Sequence, residues 1–418
     1  MRDGLRLRRL AARLAGRDAP APSADARGRR RGGLRAVALA AAVAVVAMLL
    51  WTVLLALRFE DQGARYDYLR WELASLPNKW LGALGAPLRD DPAGDEAIAR
   101  YFAFVDRTVR DAVRLEGAVE ATIEGRIDAV LQQAGVRGRL PLPGSVFPPV
   151  DIELARPPWV LVVSPRERIE RIDEELLAPG VTPEEAVERE RAREADDEAI
   201  SALVLRTGGV ALYPAVVNSQ RGYAATVATA AHEWVHHYLA FYPLGLSYFR
   251  SQEVRTINET VADIAGDEIA ALVIERFGDP TIGDGGASGA LSAGSTADAG
   301  ELRRARRDEA LRELHLAVDD LLAAGRIAEA EHLMEQTRDE LAAGGIVIRR
   351  INQAYFAWFG TYAARGDAVH PVGEELRALR ARMGSLAVFL DEVRDVTSHR
   401  EVRDLARAWG LAVPAPAP

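Results

Sequence analysis

The segment Ala231-His232-Glu233-Trp234-Val235-His236-His237 holds three of the chain's seven histidines within six residues. On a helix, residues four apart lie one above the other, so His232 and His236 can present imidazole nitrogens to one metal ion. Zinc takes such ligands at about 2.0–2.1 Å and needs a third to form a site with one open position. Glu233, next to the first histidine, can reach a water held there, whose pKa zinc lowers to roughly 7, and accept its proton. A second segment, Asn258-Glu259-Thr260-Val261-Ala262-Asp263, supplies the remainder. Glu259 offers a hard oxygen ligand. Asp263, one turn later, can accept a hydrogen bond from the free nitrogen of a ligating histidine, which fixes the ring's tautomer. The expectation is one zinc ion per chain on His232, His236 and Glu259, with Glu233 as general base. His237 is turned about 100° from His236 and reads, with Trp234 and Val235, as packing.

Two helices must carry these groups. The first is expected from about Ala224 to Phe241, ending before Pro243-Leu244-Gly245. The second is expected to start near Asn258, as N-cap, and to run to about Phe277. Upstream, apolar residues at spacings of three and four from about Asp95 to Ala134 predict helix, including Val105, Val109 and Val113 on its buried face. Trp159 to Val163 suits a buried strand, Glu167 to Leu177 a helix, and Pro183 to about Ala202 a charged, solvated helix. Ala202–Leu205 and Val210–Tyr213 flank Gly208-Gly209 and read as a hairpin, with Pro214 favouring an edge strand. Gly278 to Gly300 is loop-like in composition. Residues 301–342 read as an αα-hairpin hinged near Gly325. Helices are expected at 346–364, 372–383 and 385–408, and His315, His332 and His399 are expected to be solvated.

The paired motifs resemble those of the gluzincin metallopeptidases, the thermolysin and alanyl-aminopeptidase-like clan. Their pattern is H-E-x-x-H on one helix and N-E-x-x-x-D or E-x-x-x-D on the next; here the gap from His236 to Glu259 is slightly long. The likeness covers about Gly208 to Phe277. It implies His232, His236 and Glu259 as ligands, Glu233 as base and Asp263 as a histidine's partner. It further implies a strand lining the cleft, for which Gly209 to Val217 fits by position, and a downstream Tyr or His that stabilises the oxyanion, for which Tyr355, Tyr362 and His370 are candidates. A looser likeness extends to a bacterial group of predicted membrane-anchored aminopeptidases, whose zinc helices precede a charged hairpin and a helix bearing an Asn, a nearby Ala and a later Tyr. Asn352, Ala354 and Tyr362 fit that order.

Composition limits the alternatives. The chain has 418 residues, a formal net charge of −9 and no cysteine. Disulfides, Cys-type zinc sites and a Cys nucleophile are excluded, and basic residues do not dominate as they would in a nucleic-acid binder. Ala36 to Leu57 carries no charge and as a helix is long enough to cross a hydrocarbon core of roughly 30 Å. Arginines crowd the segment before it, which predicts a cytoplasmic N-terminus and everything after Leu57 outside. Tyr66 to Trp71 and Trp80-Leu81 suit either a bilayer interface or an ordinary core.

The expected organisation is a basic disordered arm (1–35), a transmembrane helix (36–57), a juxtamembrane helical region (58–149), a zincin-like core (150–280), a loop (281–300), a C-terminal helical region (301–410) and a tail (411–418). The expected fold is mainly α with a small β-sheet (α+β). The expected function is a membrane-anchored zinc-dependent peptidase acting on a peptide or protein substrate, with no nucleic-acid partner. The rival reading is an inactive zinc-bearing envelope scaffold that docks a partner through the charged hairpin.

Overall fold

Two small sheets and a set of helices of very unequal length surround the central histidine helix. The structure is a computed structural model that describes Tyr66 and residues 92–137, 146–282 and 290–412. The basic arm, the apolar run Ala36–Leu57, Trp71, Trp80-Leu81 and the last residues of the tail lie outside the described residues. Among the described residues no helix is long and apolar enough to cross a membrane.

The elements in chain order are α1 (Pro92–Ala103), α2 (Arg110–Gln133), β1 (Ile152–Ala155), β2 (Trp159–Pro165), β3 (Asp173–Leu177), α3 (Pro183–Asp196), β4 (Ile200–Arg206), β5 (Gly209–Val210), β6 (Ala215–Asn218), α4 (Tyr223–Leu239), α5 (Pro243–Leu246), α6 (Gln252–Phe277), α7 (Ala290–Ala323), α8 (Ile327–Ala343), α9 (Gln353–Phe359), α10 (Val372–Arg382), α11 (Leu386–Val393) and α12 (His399–Ala408). The fold is mainly helical with small sheets.

One sheet has the order β3-β2-β4 and is antiparallel throughout. Its central strand β2 alternates, as a strand with two covered faces must. Val160 and Val162 join Leu203 against the α7–α8 hairpin and α9, while Leu161 joins Leu177, Ala186 and Val204 on the side of α3. Helix α3 starts with a capping box, Thr182 and Glu185 each satisfying the other's backbone N–H. The other sheet has the order β1-β6-β5, with β1 and β6 parallel and β5 antiparallel at one edge. Its residues Ile152, Leu154, Ala215 and Val217 belong to the largest apolar cluster, which also takes in α2, α4, α6 and α10–α12.

Several sequence expectations are corrected. The helical pattern of 95–134 is two helices. The chain breaks between Phe104 and Val109, and Val105, Val109 and Val113 are exposed rather than on a buried face. Residues 173–177 form strand β3, not helix, because β2 offers that segment a ladder of backbone partners, which outweighs local periodicity. The charged helix stops at Asp196, and 200–206 is strand. Gly208-Gly209 does not close a hairpin; it passes the chain from the β4 sheet to the β5 sheet. Residues 290–300 are helical, and only seven residues of 346–364 form a helix, α9. The 385–408 helix is divided into α11 and α12, capped by Ser385 and Ser398. The α7–α8 hairpin turns at Gly325 as expected, in the left-handed region (φ 71°) that glycine adopts freely. Tyr66 donates its backbone N–H to Leu176 O, so this aromatic is docked on the edge of β3.

His315 is not solvated. It is buried and stacked on Phe356, ring centres 4.5 Å apart. Burial pushes its pKa down to about 4, against the nearby Asp367. His399 is half-buried, its Nε2 against Glu375 Oε2 at 2.5 Å, and His332 is exposed. A buried histidine held neutral favours the fold wherever the unfolded chain is also neutral. That stability is full above the unfolded pKa, about 6.5, and is lost as pH falls towards 4. We expect His315→Gln to flatten this slope in equilibrium denaturation of the full chain. The wild type should lose up to roughly 3 kcal/mol more than the variant between pH 6.5 and 4.

Candidate metal centre

Helix α4 begins with a run of small residues, Ala224, Ala225, Ala228, Ala230 and Ala231, which lets α6 come close. One close approach is at Gly266. A Cβ there would lie 2.9 Å from both Cα and N of His232, so the absence of a side chain on α6 sets the depth at which His232 sits.

Helix α6 is capped by Ser251, whose hydroxyl accepts from Val254 N. It therefore starts six residues before Asn258, which is not an N-cap but lies in the helix interior. Its side chain has a different use: Oδ1 faces His236 Nδ1 at 2.8 Å. Asp263 Oδ1 faces His232 Nδ1 at 3.0 Å. Each acceptor draws the ring proton to Nδ1 and leaves the Nε2 lone pair pointing inward.

The inward atoms converge. His232 Nε2 and His236 Nε2 are 3.0 Å apart, and each is 3.4 Å from Glu259 Oε2. Tetrahedral ligands at about 2.0–2.1 Å from zinc stand about 3.3 Å from one another, so donor type and spacing both fit zinc. Among the described residues this is the one group of three or more such side chains placed to share a metal ion. Glu259's other oxygen, Oε1, accepts a 2.5 Å hydrogen bond from the Tyr248 hydroxyl, which fixes the rotation of the carboxylate.

The electrostatics follow from burial. Burial opposes charge on Glu259, but the two imidazoles outweigh it and hold the carboxyl well below its usual range. Burial also opposes charge on His232, and the contacts with Asp263 and Glu259 overcome it, raising the pKa. For Glu233 burial wins and its carboxyl is pushed up, against the pull of His232 and His236. Glu233 lies under the edge strand: a Cβ on Gly209 would come within 2.5 Å of its Oε1.

Of the downstream candidates, Tyr362 reaches the site, its ring centre 6.4 Å from that of His232. The Ala363 N–H donates to Thr260 Oγ1 on α6, which holds this stretch in place. Burial, then the charge of Glu259, raises the Tyr362 pKa well above its ordinary value, so its hydroxyl remains a donor. Asn352 and Tyr355 are elsewhere. Asn352 caps α9 through Tyr355 N and donates to Ala202 O, and Tyr355 packs on Phe356 and Phe359 in the core beneath the α7–α8 hairpin. Ala354 lies in the same core, and His370 Nδ1 accepts from Val372 N. His237 donates to Leu212 O at 2.6 Å, with burial pushing its pKa down to about 4, and Trp234 donates to Pro148 O. Both are packing residues.

Sequence reasoning missed Tyr248 and Gly266 and assigned Asn258 the wrong role, and the strand expected over Gly209 to Val217 is two, β5 and β6, paired antiparallel, of which β5 carries Gly209 over Glu233. Asn258 was the one with a signal: it immediately precedes Glu259 and lies twenty-two residues after His236. Compared with family models, curated proteins and solved structures, the chain matches none.

Two outcomes test the centre. Gly266→Val must drive α4 and α6 apart, so the dialysed variant should hold less zinc by elemental analysis, whereas Gly180→Ala, with open space around it, should hold as much as wild type. Asp263→Ala should bind zinc about 10- to 100-fold more weakly in competition with a chromogenic chelator.

Proposed function

We propose that this chain is a zinc-dependent peptidase of the gluzincin kind, anchored in a membrane by Ala36–Leu57 with its catalytic part outside the cytoplasm. The observation that carries the reading is the convergence of His232, His236 and Glu259 beside the buried carboxylate of Glu233, beneath the edge strand β5. The arginine-rich stretch before the apolar run supports the orientation.

When bound, zinc would polarise the scissile carbonyl and lower the pKa of a water in its open position. The chain's own residues do the rest. Glu233 takes the proton of the attacking water and returns it to the leaving amine. Its raised pKa makes it the stronger base for taking that proton, and its carboxyl then holds the proton until the leaving amine, a stronger base still, accepts it. Asp263 and Asn258 keep the two imidazoles in the tautomer that faces inward, and Tyr248 holds Glu259 so that a single oxygen does. Tyr362, kept protonated, is the hydroxyl available to the developing oxyanion. The edge strand β5 can accept an extended peptide as a further strand, and the missing side chain at Gly209 lets that backbone lie against Glu233.

The test is Glu233→Gln in the zinc-reconstituted protein. A peptide-library assay should show hydrolysis lost by about a hundredfold or more, while elemental analysis still gives one zinc per chain. Activity retained in the metal-loaded variant would overturn the mechanism. Reloaded wild type holding well under one zinc per chain would overturn the metal assignment.

A further inference from the structure

Two arginines stand beside the metal centre without belonging to it. Arg171 lies in the connection between β2 and β3, two residues before β3 begins. Arg255 lies on α6, four residues before Glu259, and so shares a helix face with that ligand. The Arg171 side chain is only 4% exposed. Its guanidinium carbon sits 4.9 Å from the centre of the Trp358 ring, and the Trp358 ring neighbours Tyr362 at 6.2 Å. The guanidinium of Arg255 sits 5.4 Å from the centre of the Tyr248 ring, whose hydroxyl holds Glu259. Each arginine is thus stacked on an aromatic residue that leads directly to the metal cluster.

The pair is short of acceptors. Arg171 Nη1 is bound by Glu174 at 2.9 Å, and Arg255 Nη1 has a long contact, 3.4 Å, to the neutral Gln252 Oε1. Arg171 Nε and Nη2 and Arg255 Nε are buried with no hydrogen-bond partner. Other buried guanidiniums among the described residues leave at most one nitrogen unpartnered; Arg171 leaves two. The two charges also oppose each other: burial, and then the charge of Arg171, holds the Arg255 pKa below its ordinary value. Buried N–H groups without acceptors and adjacent like charges are both unfavourable. An anion at the free Arg171 nitrogens removes the first penalty and eases the second, and the planar fork of a guanidinium matches a carboxylate in particular.

We infer that Arg171 and Arg255 form a carboxylate-binding subsite next to the metal centre, which selects substrates carrying a carboxylate close to the scissile bond. The inference rests on the peptidase reading for its ligand class. The carboxylate comes either from the free C-terminus of a peptide, which makes the site one for cleavage near that end, or from an Asp or Glu side chain.

The test uses full-length, zinc-reconstituted protein and four peptides: acetyl-Ala-Ala-Ala as free acid and as C-terminal amide, and acetyl-Ala-Glu-Ala-amide with its Gln counterpart. Binding is measured by calorimetry on Glu233→Gln protein, so it does not depend on turnover, and product formation is followed on wild type. The free acid, or the Glu peptide, should bind about tenfold or more tightly than its neutral twin. Which pair shows the preference identifies the source of the carboxylate. Arg171→Gln and Arg255→Gln, each made in the Glu233→Gln background and checked for zinc content and circular dichroism, should reduce the preference to within about twofold and leave the affinity for the neutral peptide unchanged. Equal binding of acid and neutral peptides, no binding of any of them, or a preference that survives both substitutions would overturn the subsite. The two readings fail separately. Preferential binding with no cleavage by wild type would sink the peptidase and leave the subsite standing, whereas equal binding and cleavage of both twins would do the reverse.

Discussion

The geometry of this molecule depends on how near α6 can come to α4. At Gly266 the two backbones are so close that a methyl group would collide with the main chain of His232. That approach brings Glu259 Oε2 to 3.4 Å from both histidines and puts Asp263 and Asn258 behind the rings. A helix pair held apart by ordinary side chains, about 8–10 Å between axes, would leave the carboxylate short of the imidazoles. Ala230 and Ala231 of α4 and Ala262 and Ala265 of α6 are buried in the largest apolar cluster.

The polar groups so assembled are expensive to bury singly and tolerable together. Glu233, Glu259, His232 and His236 have little contact with solvent, and the inward atoms of His232, His236 and Glu259 face one another. Tyr248 and Tyr362 extend the network with hydroxyls that burial keeps protonated. Burial pushes Glu233 towards protonation against the pull of the two imidazoles. Arg171 and Arg255 break the pattern, with buried nitrogens that have no acceptor among the described residues.

The rest of the fold supplies walls. Passing from β4 to β5 at Gly208-Gly209 moves the chain between sheets and sets an edge strand over Glu233. The short α9 and the turn after it bring Tyr362 beside His232 and Trp358 beside Tyr362, and Thr260 anchors Ala363. The α7–α8 hairpin covers the face of the other sheet, away from the centre, and gives a buried place to His315.

The candidate ligand set was legible in the sequence because it is local: a spacing of four on one helix, and a Glu and Asp one turn apart on the next, define faces without any knowledge of the fold. The mainly helical class and the α7–α8 hairpin were legible for the same reason, since period and turn residues are properties of short windows. What failed was long-range. Residues 173–177 became a strand because β2 was there to pair with them, and Gly208-Gly209 became a crossing between sheets rather than a turn. Tyr248, Gly209, Gly266, Arg171 and Arg255 come from a loop, an edge strand, helix α6 and a strand connection. Arg255 and Gly266 share α6 with Glu259, but no spacing relates Tyr248, Gly209 or Arg171 to the histidines, and only tertiary packing brings these segments to one place. The chain alone determined which atoms could hold a metal and which carboxylate could move a proton. The tertiary structure decided how close those atoms stand, which tyrosine faces them and where a buried positive charge is left without a partner, because these depend on distances between segments and not on order along the chain.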